Sequence, residues 1–95
     1  MMPESLLVQR IMAKLEQRYR ADWYGIKVHG DQFTVNQPDI VGVYKGIMIV
    51  MECKRPGEEP RVGQAAILYK WQTAGAIVIA PATSVKQVLE VFESL

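Results

Sequence analysis

The segment from Pro38 to Lys54 constrains this chain more than any other. Two apolar, β-rich runs, Pro38-Asp39-Ile40-Val41-Gly42-Val43-Tyr44 and Ile47-Met48-Ile49-Val50-Met51-Glu52-Cys53-Lys54, flank the dipeptide Lys45-Gly46. Such a spacing predicts an antiparallel hairpin with a two-residue turn, and the turn sets the register. With Tyr44 opposite Ile47, Val43 faces Met48, Val41 faces Val50, and Asp39 falls opposite Glu52. Alternation along the strand puts Lys54 on the face of Glu52 and turns Cys53 the other way. Val41, Val43, Met48 and Val50 share one face, and Ile40, Tyr44, Ile47, Ile49 and Met51 the other. Both faces are apolar, so the sheet needs cover on both sides.

The flanking segments supply that cover. From Pro3 to Arg20 the apolar residues Leu7, Val8, Ile11, Met12, Leu15 and Tyr19 recur at helical spacing, with Arg10, Lys14, Gln17 and Arg18 on another face. Trp23 to His29 reads as a strand ending at Gly30-Asp31. Pro56, Gly57 and Pro60 stop the second hairpin strand in a loop. A second helix is expected from Arg61 to Thr73, with Gln64, Leu68 and Trp71 on one face and Gly75 as its stop. Ala76 to Ala80 reads as a short buried strand, and Pro81-Ala82-Thr83-Ser84 as the lead into a last helix that turns Val85, Val88, Leu89 and Phe92 inward. The order is αβββαβα, an α/β sandwich formed as one domain over residues 1–95.

Composition narrows the classes. With 49% apolar and 22% charged residues the chain has a globular profile, and no run is long enough to span a membrane. A single cysteine forms no intrachain disulfide, and the opening Met1-Met2-Pro3-Glu4 lacks the basic and apolar stretches of a leader, so a reducing cytoplasm is expected. The net charge of +1 neither favours nor excludes a nucleic-acid partner, because a basic face can coexist with an acidic metal site.

Opposed carboxylates carry the chemical signal. On the expected register the Cβ atoms of Asp39 and Glu52 lie about 5 Å apart, where two such charges repel by roughly 3 kcal/mol at an effective dielectric near 20. A divalent cation removes the conflict. Two carboxylates and a main-chain carbonyl, that of Cys53, make a hard oxygen set suited to magnesium. Lys54 then stands where a cation orients water or stabilises a charged transition state. These are the requirements of phosphodiester hydrolysis. The bland alternative is a surface ion pair between Glu52 and Lys54. Cys53 as a nucleophile is disfavoured, since it faces away from Asp39 and no histidine neighbours it. His29, the only histidine, gives little support to a His-ligated zinc site.

Taken in order, Glu4, Pro38-Asp39, Tyr44-Lys45-Gly46, Glu52-Cys53-Lys54-Arg55-Pro56-Gly57, Gln64 and the terminal strand and helix resemble the PD-(D/E)xK nucleases, and within them the VRR-NUC (virus-type replication-repair nuclease) domains. The resemblance implies a restriction-endonuclease-like sandwich, with a central mixed sheet flanked by helices. It implies a Mg²⁺- or Mn²⁺-dependent endodeoxyribonuclease in which Asp39 and Glu52 bind metal, Lys54 serves the water or transition state, Gln64 completes the site and Glu4 contributes further. Lys45, Arg55, Arg61 and Lys70 become the candidate DNA contacts. Stand-alone members are similar to phage or bacterial proteins that dimerise and cut four-way (Holliday) junctions, which would place this one in a bacterial cell or phage-infected host. The same chemistry also serves nicking, flap or duplex cleavage, and a non-catalytic DNA-binding module is the remaining alternative. The first helix, Trp23 and Trp71 are the candidate dimer surfaces.

Overall fold

The computed structural model describes residues 2–28 and 35–95. Its elements are α1 (Glu4–Tyr19), a single 3-10 turn (Arg20–Asp22), β1 (Trp23–Lys27), β2 (Ile40–Tyr44), β3 (Ile47–Cys53), α2 (Val62–Thr73), β4 (Ile77–Ala82) and α3 (Val85–Glu93). The expected αβββαβα order holds. His29 and the strand end at Gly30-Asp31 lie outside the described residues.

The four strands form one mixed sheet in the order β1-β2-β3-β4, with β1, β2 and β3 antiparallel and β4 parallel to β3. In the hairpin, Tyr44 pairs with Ile47, Val43 with Met48 and Val41 with Val50, the register that the two-residue turn predicts. Parallel pairing of β3 and β4 requires the crossover that α2 provides. That helix ends as Gly75 predicts: Gly75 takes φ 112°, its N–H donates to the Gln72 carbonyl and the next N–H, of Ala76, reaches back to Trp71.

Two apolar layers sandwich the sheet. On one face Leu7, Val8, Ile11 and Leu15 of α1 and Val88 and Phe92 of α3 pack against Ile40, Tyr44, Ile49, Met51 and Cys53. On the other, Leu68 and Trp71 of α2 pack with Val41, Met48, Val50 and Val78. The first layer holds an aromatic group in which Phe92 lies 5.0 to 5.4 Å, centroid to centroid, from Tyr19, Tyr44 and Trp23. Gly25 and Gly42 face each other across β1 and β2, and a Cβ on either would collide with the Trp23 ring. The glycines make the flat slot in which the indole sits. Arg18 of α1 donates to Glu93 of α3 at 2.6 Å, which ties the two helices at their exposed edge.

Two expectations are corrected. The last strand does not stop at Ala80 but continues through Pro81 to Ala82. Its far side is the sheet edge, so the missing proline N–H costs no ladder bond there, and one extra β4 residue bulges out before Ala82 pairs with Cys53. Cover on the α2 side is also incomplete. Tyr24, Val43 and Ile26 lie on that face of β1 and β2 with exposures of 76%, 44% and 48%, because α2 sits over β3 and β4. Among the described residues no helix is long and apolar enough to cross a membrane.

Candidate active site

The hairpin register, extended one residue beyond Ile40 and Met51, sets Asp39 against Glu52. Three hydrogen bonds hold this end of the sheet. The Asp39 carbonyl accepts from the Val28 N–H at 2.8 Å, the Asp39 carboxylate oxygen Oδ2 accepts from the Cys53 N–H at 2.8 Å, and the Lys54 N–H donates to the Ala82 carbonyl at 3.0 Å. Asp39 is thus anchored to the strands on both sides, through its main chain and its side chain. Pro38 before it is fully buried. The Cys53 N–H is a positioning group that the residue pattern does not reveal, since it belongs to the backbone. In an extended residue N–H and C=O point to the same side, so the Cys53 carbonyl lies on the Asp39 side of the strand.

Glu52 is only 2% exposed, and its two carboxylate oxygens differ. Oε1 lies 4.0 Å from the Lys54 Nζ, whereas Oε2 is buried with no hydrogen-bond partner among the described residues. The Glu52–Lys54 pair is therefore buried, and the surface ion-pair alternative does not apply. Burial, then the Asp39 carboxyl set beside it, push the Glu52 carboxyl up to about 8, against the opposing pull of Lys54. A carboxylate held this way fits a divalent cation: one oxygen has no partner, a second carboxylate stands beside it, and all the donors are hard oxygens.

Cys53 turns its side chain into the α1 and α3 layer, fully buried. Burial, with the nearby Asp39 and Glu52 charges, pushes its thiol up to about 12, so at neutral pH it is a packed apolar group and no nucleophile.

The remaining candidates divide. Gln64 is buried in the first turn of α2, where its Oε1 accepts from the Arg61 N–H at 3.1 Å. This is half of a capping box; the other half is absent because a guanidinium offers no acceptor. Among the described residues no three His, Cys, Asp or Glu side chains form a group able to hold a metal, so Glu4 stands outside the immediate set. Its charge acts on the site from α1, raising both Glu52 and Cys53. Arg55 and Arg61 sit exposed on the loop between Lys54 and α2, with Arg55 bonded to Glu58 at 2.6 Å. Lys70 is exposed further along α2, beside Gln37 and Trp71. Lys45 is displaced from the site: it occupies the hairpin turn, its Nζ 5.3 Å from the Tyr44 ring centroid. It lies six positions from Asp39, roughly 20 Å of strand. The two tryptophans are likewise not free surfaces. Trp23 is core at 4% exposure, and Trp71 is half-buried with its Nε1 donating to Gln37 at 3.2 Å.

Two solved structures share this architecture. A VRR_NUC domain superposes with a TM-score of 0.69 at 22% identity, covering 90% of this chain and 92% of that one. A VRR_NUC domain protein superposes with a TM-score of 0.73 at 11% identity, covering 99% of this chain and 88% of that one. No family model and no curated protein matches the sequence. The chain has the VRR-NUC domain fold.

Proposed function

We propose that this protein is a divalent-metal-dependent DNA endonuclease that hydrolyses phosphodiester bonds. The observation that carries the reading is the buried Glu52 set against the half-buried Asp39, with one Glu52 oxygen unpartnered and the Lys54 ammonium 4.0 Å from the other. A fold has little use for a carboxylate sealed from water with a second one set against it, since the neighbouring charge raises the cost of ionising it. They become useful together when a cation joins them.

Asp39 and Glu52 would hold Mg²⁺ or Mn²⁺, with the Cys53 carbonyl as a third oxygen donor. When bound, the cation supplies Lewis-acid charge that neutralises the phosphate and acidifies a water. The chain's own residues do the rest. The Cys53 N–H fixes the Asp39 carboxylate by occupying its Oδ2. Filling the site would require Glu52 to give up its proton, which its raised value makes costly at neutral pH and easier as pH rises. Lys54 carries its positive charge to the cleft, where it orients the attacking water or meets the negative charge that develops on the phosphate oxygens. Gln64 secures the start of α2 by accepting from the Arg61 N–H, and so would set how Arg61 is presented to DNA.

The proposed substrate is the four-way junction, cut by a homodimer. Resolving a junction requires two symmetric cuts, and each chain offers one carboxylate pair. The exposed apolar face of Tyr24, Val43 and Ile26 gives a second copy something to cover. Labelled four-way junction, duplex, flap and single strand, each incubated with Mg²⁺, Mn²⁺ or chelator, test the reading. Junction cleavage that requires metal is expected. Cleavage at an undiminished rate in excess chelator would overturn it, and a preference for nicked, flap or duplex DNA would keep the chemistry while replacing the substrate.

A further inference from the structure

Where β3 and β4 end, a cavity of about 450 Å³ opens on the α1 and α3 side of the sheet. It lies around the strand end from Glu52 and Lys54. The Lys54 N–H donates to the Ala82 carbonyl, so Arg55 and Thr83, the residues that follow these two just past the strand ends, are carried directly into the cavity wall. Leu7 of α1, Pro56 and Val85 of α3 supply its apolar surface, and Arg10 and Arg55 its charge. No acidic side chain lines it among the described residues, although the carboxylate site is its neighbour. Arg10 makes no salt bridge among the described residues. Arg55 engages Glu58 through Nε, which steadies the guanidinium while its terminal amino groups remain to donate elsewhere.

That combination selects its occupant. A bare phosphate or a cation would leave the apolar walls unused, and an uncharged apolar molecule would leave the Arg10 guanidinium without counter-charge and the terminal amino groups of Arg55 without an acceptor. A nucleotide has both parts, a flat base for the apolar walls and a phosphate for the arginines, and guanidinium planes stack on bases as readily as they pair with phosphate. The volume lies within the roughly 300–1,000 Å³ of small-molecule sites. A base stacked and paired in duplex cannot enter such a pocket, so the nucleotide has to be unpaired.

On the premise that the chain cuts DNA as argued above, we propose that this cavity holds an unpaired nucleotide adjacent to the cut phosphate. Its base packs on Leu7, Pro56 and Val85, and its phosphate lies between Arg10 and Arg55. Selectivity for branched DNA then has a local source, because bases at a branch are the ones released from stacking.

The test uses the whole protein and DNA carrying a fluorescent purine, brightened by unstacking, at each position around the cut in turn. Val85→Trp fills the cavity, and Arg10→Ala removes an exposed charge that the fold does not use. For wild type, emission should rise at one position next to the cut. Both variants should abolish that rise and raise KM roughly tenfold, the scale of losing one stacked base or one phosphate contact. An abasic residue at that position should raise the wild-type KM to the level of Val85→Trp. If both variants fold, as melting temperature reports, and retain the wild-type emission and KM, the pocket assignment is overturned while the nuclease stands. If Val85→Trp does not fold, Arg10→Ala and the abasic substrate decide alone. Wild-type protein that neither binds nor cuts DNA with Mg²⁺ or Mn²⁺ removes both readings.

Discussion

Burial and the Asp39 carboxylate together push Glu52 up to about 8, whereas a solvated glutamate titrates near 4.5. Between those values the folded, metal-free protein holds a proton that the unfolded chain has released, so stability must fall as pH rises through this window. Urea unfolding in chelator should show that decline, and Glu52→Gln should flatten it. Divalent-cation affinity should run the opposite way, rising from pH 5 to pH 8 with proton release, as calorimetry in buffers of different ionisation enthalpy will report. Asp39→Asn and Glu52→Gln should each remove most cleavage with the fold intact. Lys54→Ala should lower kcat by about 100-fold or more with little change in DNA affinity, since its charge is needed most in the transition state. Cys53→Ala should remain active, and thiol-blocking reagents should leave the wild type active, because a buried thiol with its pKa near 12 is neither ionised nor accessible. An inactive but folded Cys53→Ala, together with inhibition by such reagents, would reopen the nucleophile reading.

Among the elements, the β1–β2 pair rests on an arrangement that no strand propensity records. Gly25 and Gly42, opposite each other, leave the Trp23 indole a flat seat, and the ring then meets Phe92 edge-on at 5.4 Å. Gly42→Ala should cost about 1–3 kcal/mol by overpacking, read as a lower urea midpoint with an unchanged m-value. The strand remains formed, so the loss should appear as displaced Trp23 fluorescence before it appears as lost circular dichroism. A variant as stable as wild type would show that the ring can slide without cost. The β4 edge teaches a related point. Proline ends a strand only where its N–H would have been used, and at the outer edge of this sheet that side carries no partner strand.

For the molecule as a whole, the partly covered sheet is the feature with consequences. α2 shields β3 and β4, and leaves Tyr24, Val43 and Ile26 as an apolar patch on the remaining half of that face. A domain of 95 residues buries a modest fraction of its surface, so covering the patch with a second copy offers a real gain. Sedimentation should find a dimer without DNA, and Tyr24→Asp combined with Val43→Asp should convert it to a folded monomer with weakened junction cleavage. A wild type that is monomeric at micromolar concentration would end the dimeric-resolvase reading and leave a metal-dependent nuclease of other preference. Trp23 cannot serve as the interface, being core, and α1 spends its apolar stripe on the sheet and α3.

The hairpin, its register and the meeting of Asp39, Glu52 and Lys54 follow from the sequence, because a two-residue turn and strict alternation are local rules that act over a few residues. The inward turn of Cys53 and the end of α2 at Gly75 are legible for the same reason. Other features depend on which element lands on which. The burial of Trp23 and the reach of β4 past Pro81 are set by contacts between residues far apart in the chain. So is the cavity between Arg10 and Arg55, whose walls come from α1, the loop after β3 and the start of α3. Backbone periodicity specifies where each side chain points, but a surface that three separate segments share exists only once the core has brought them together.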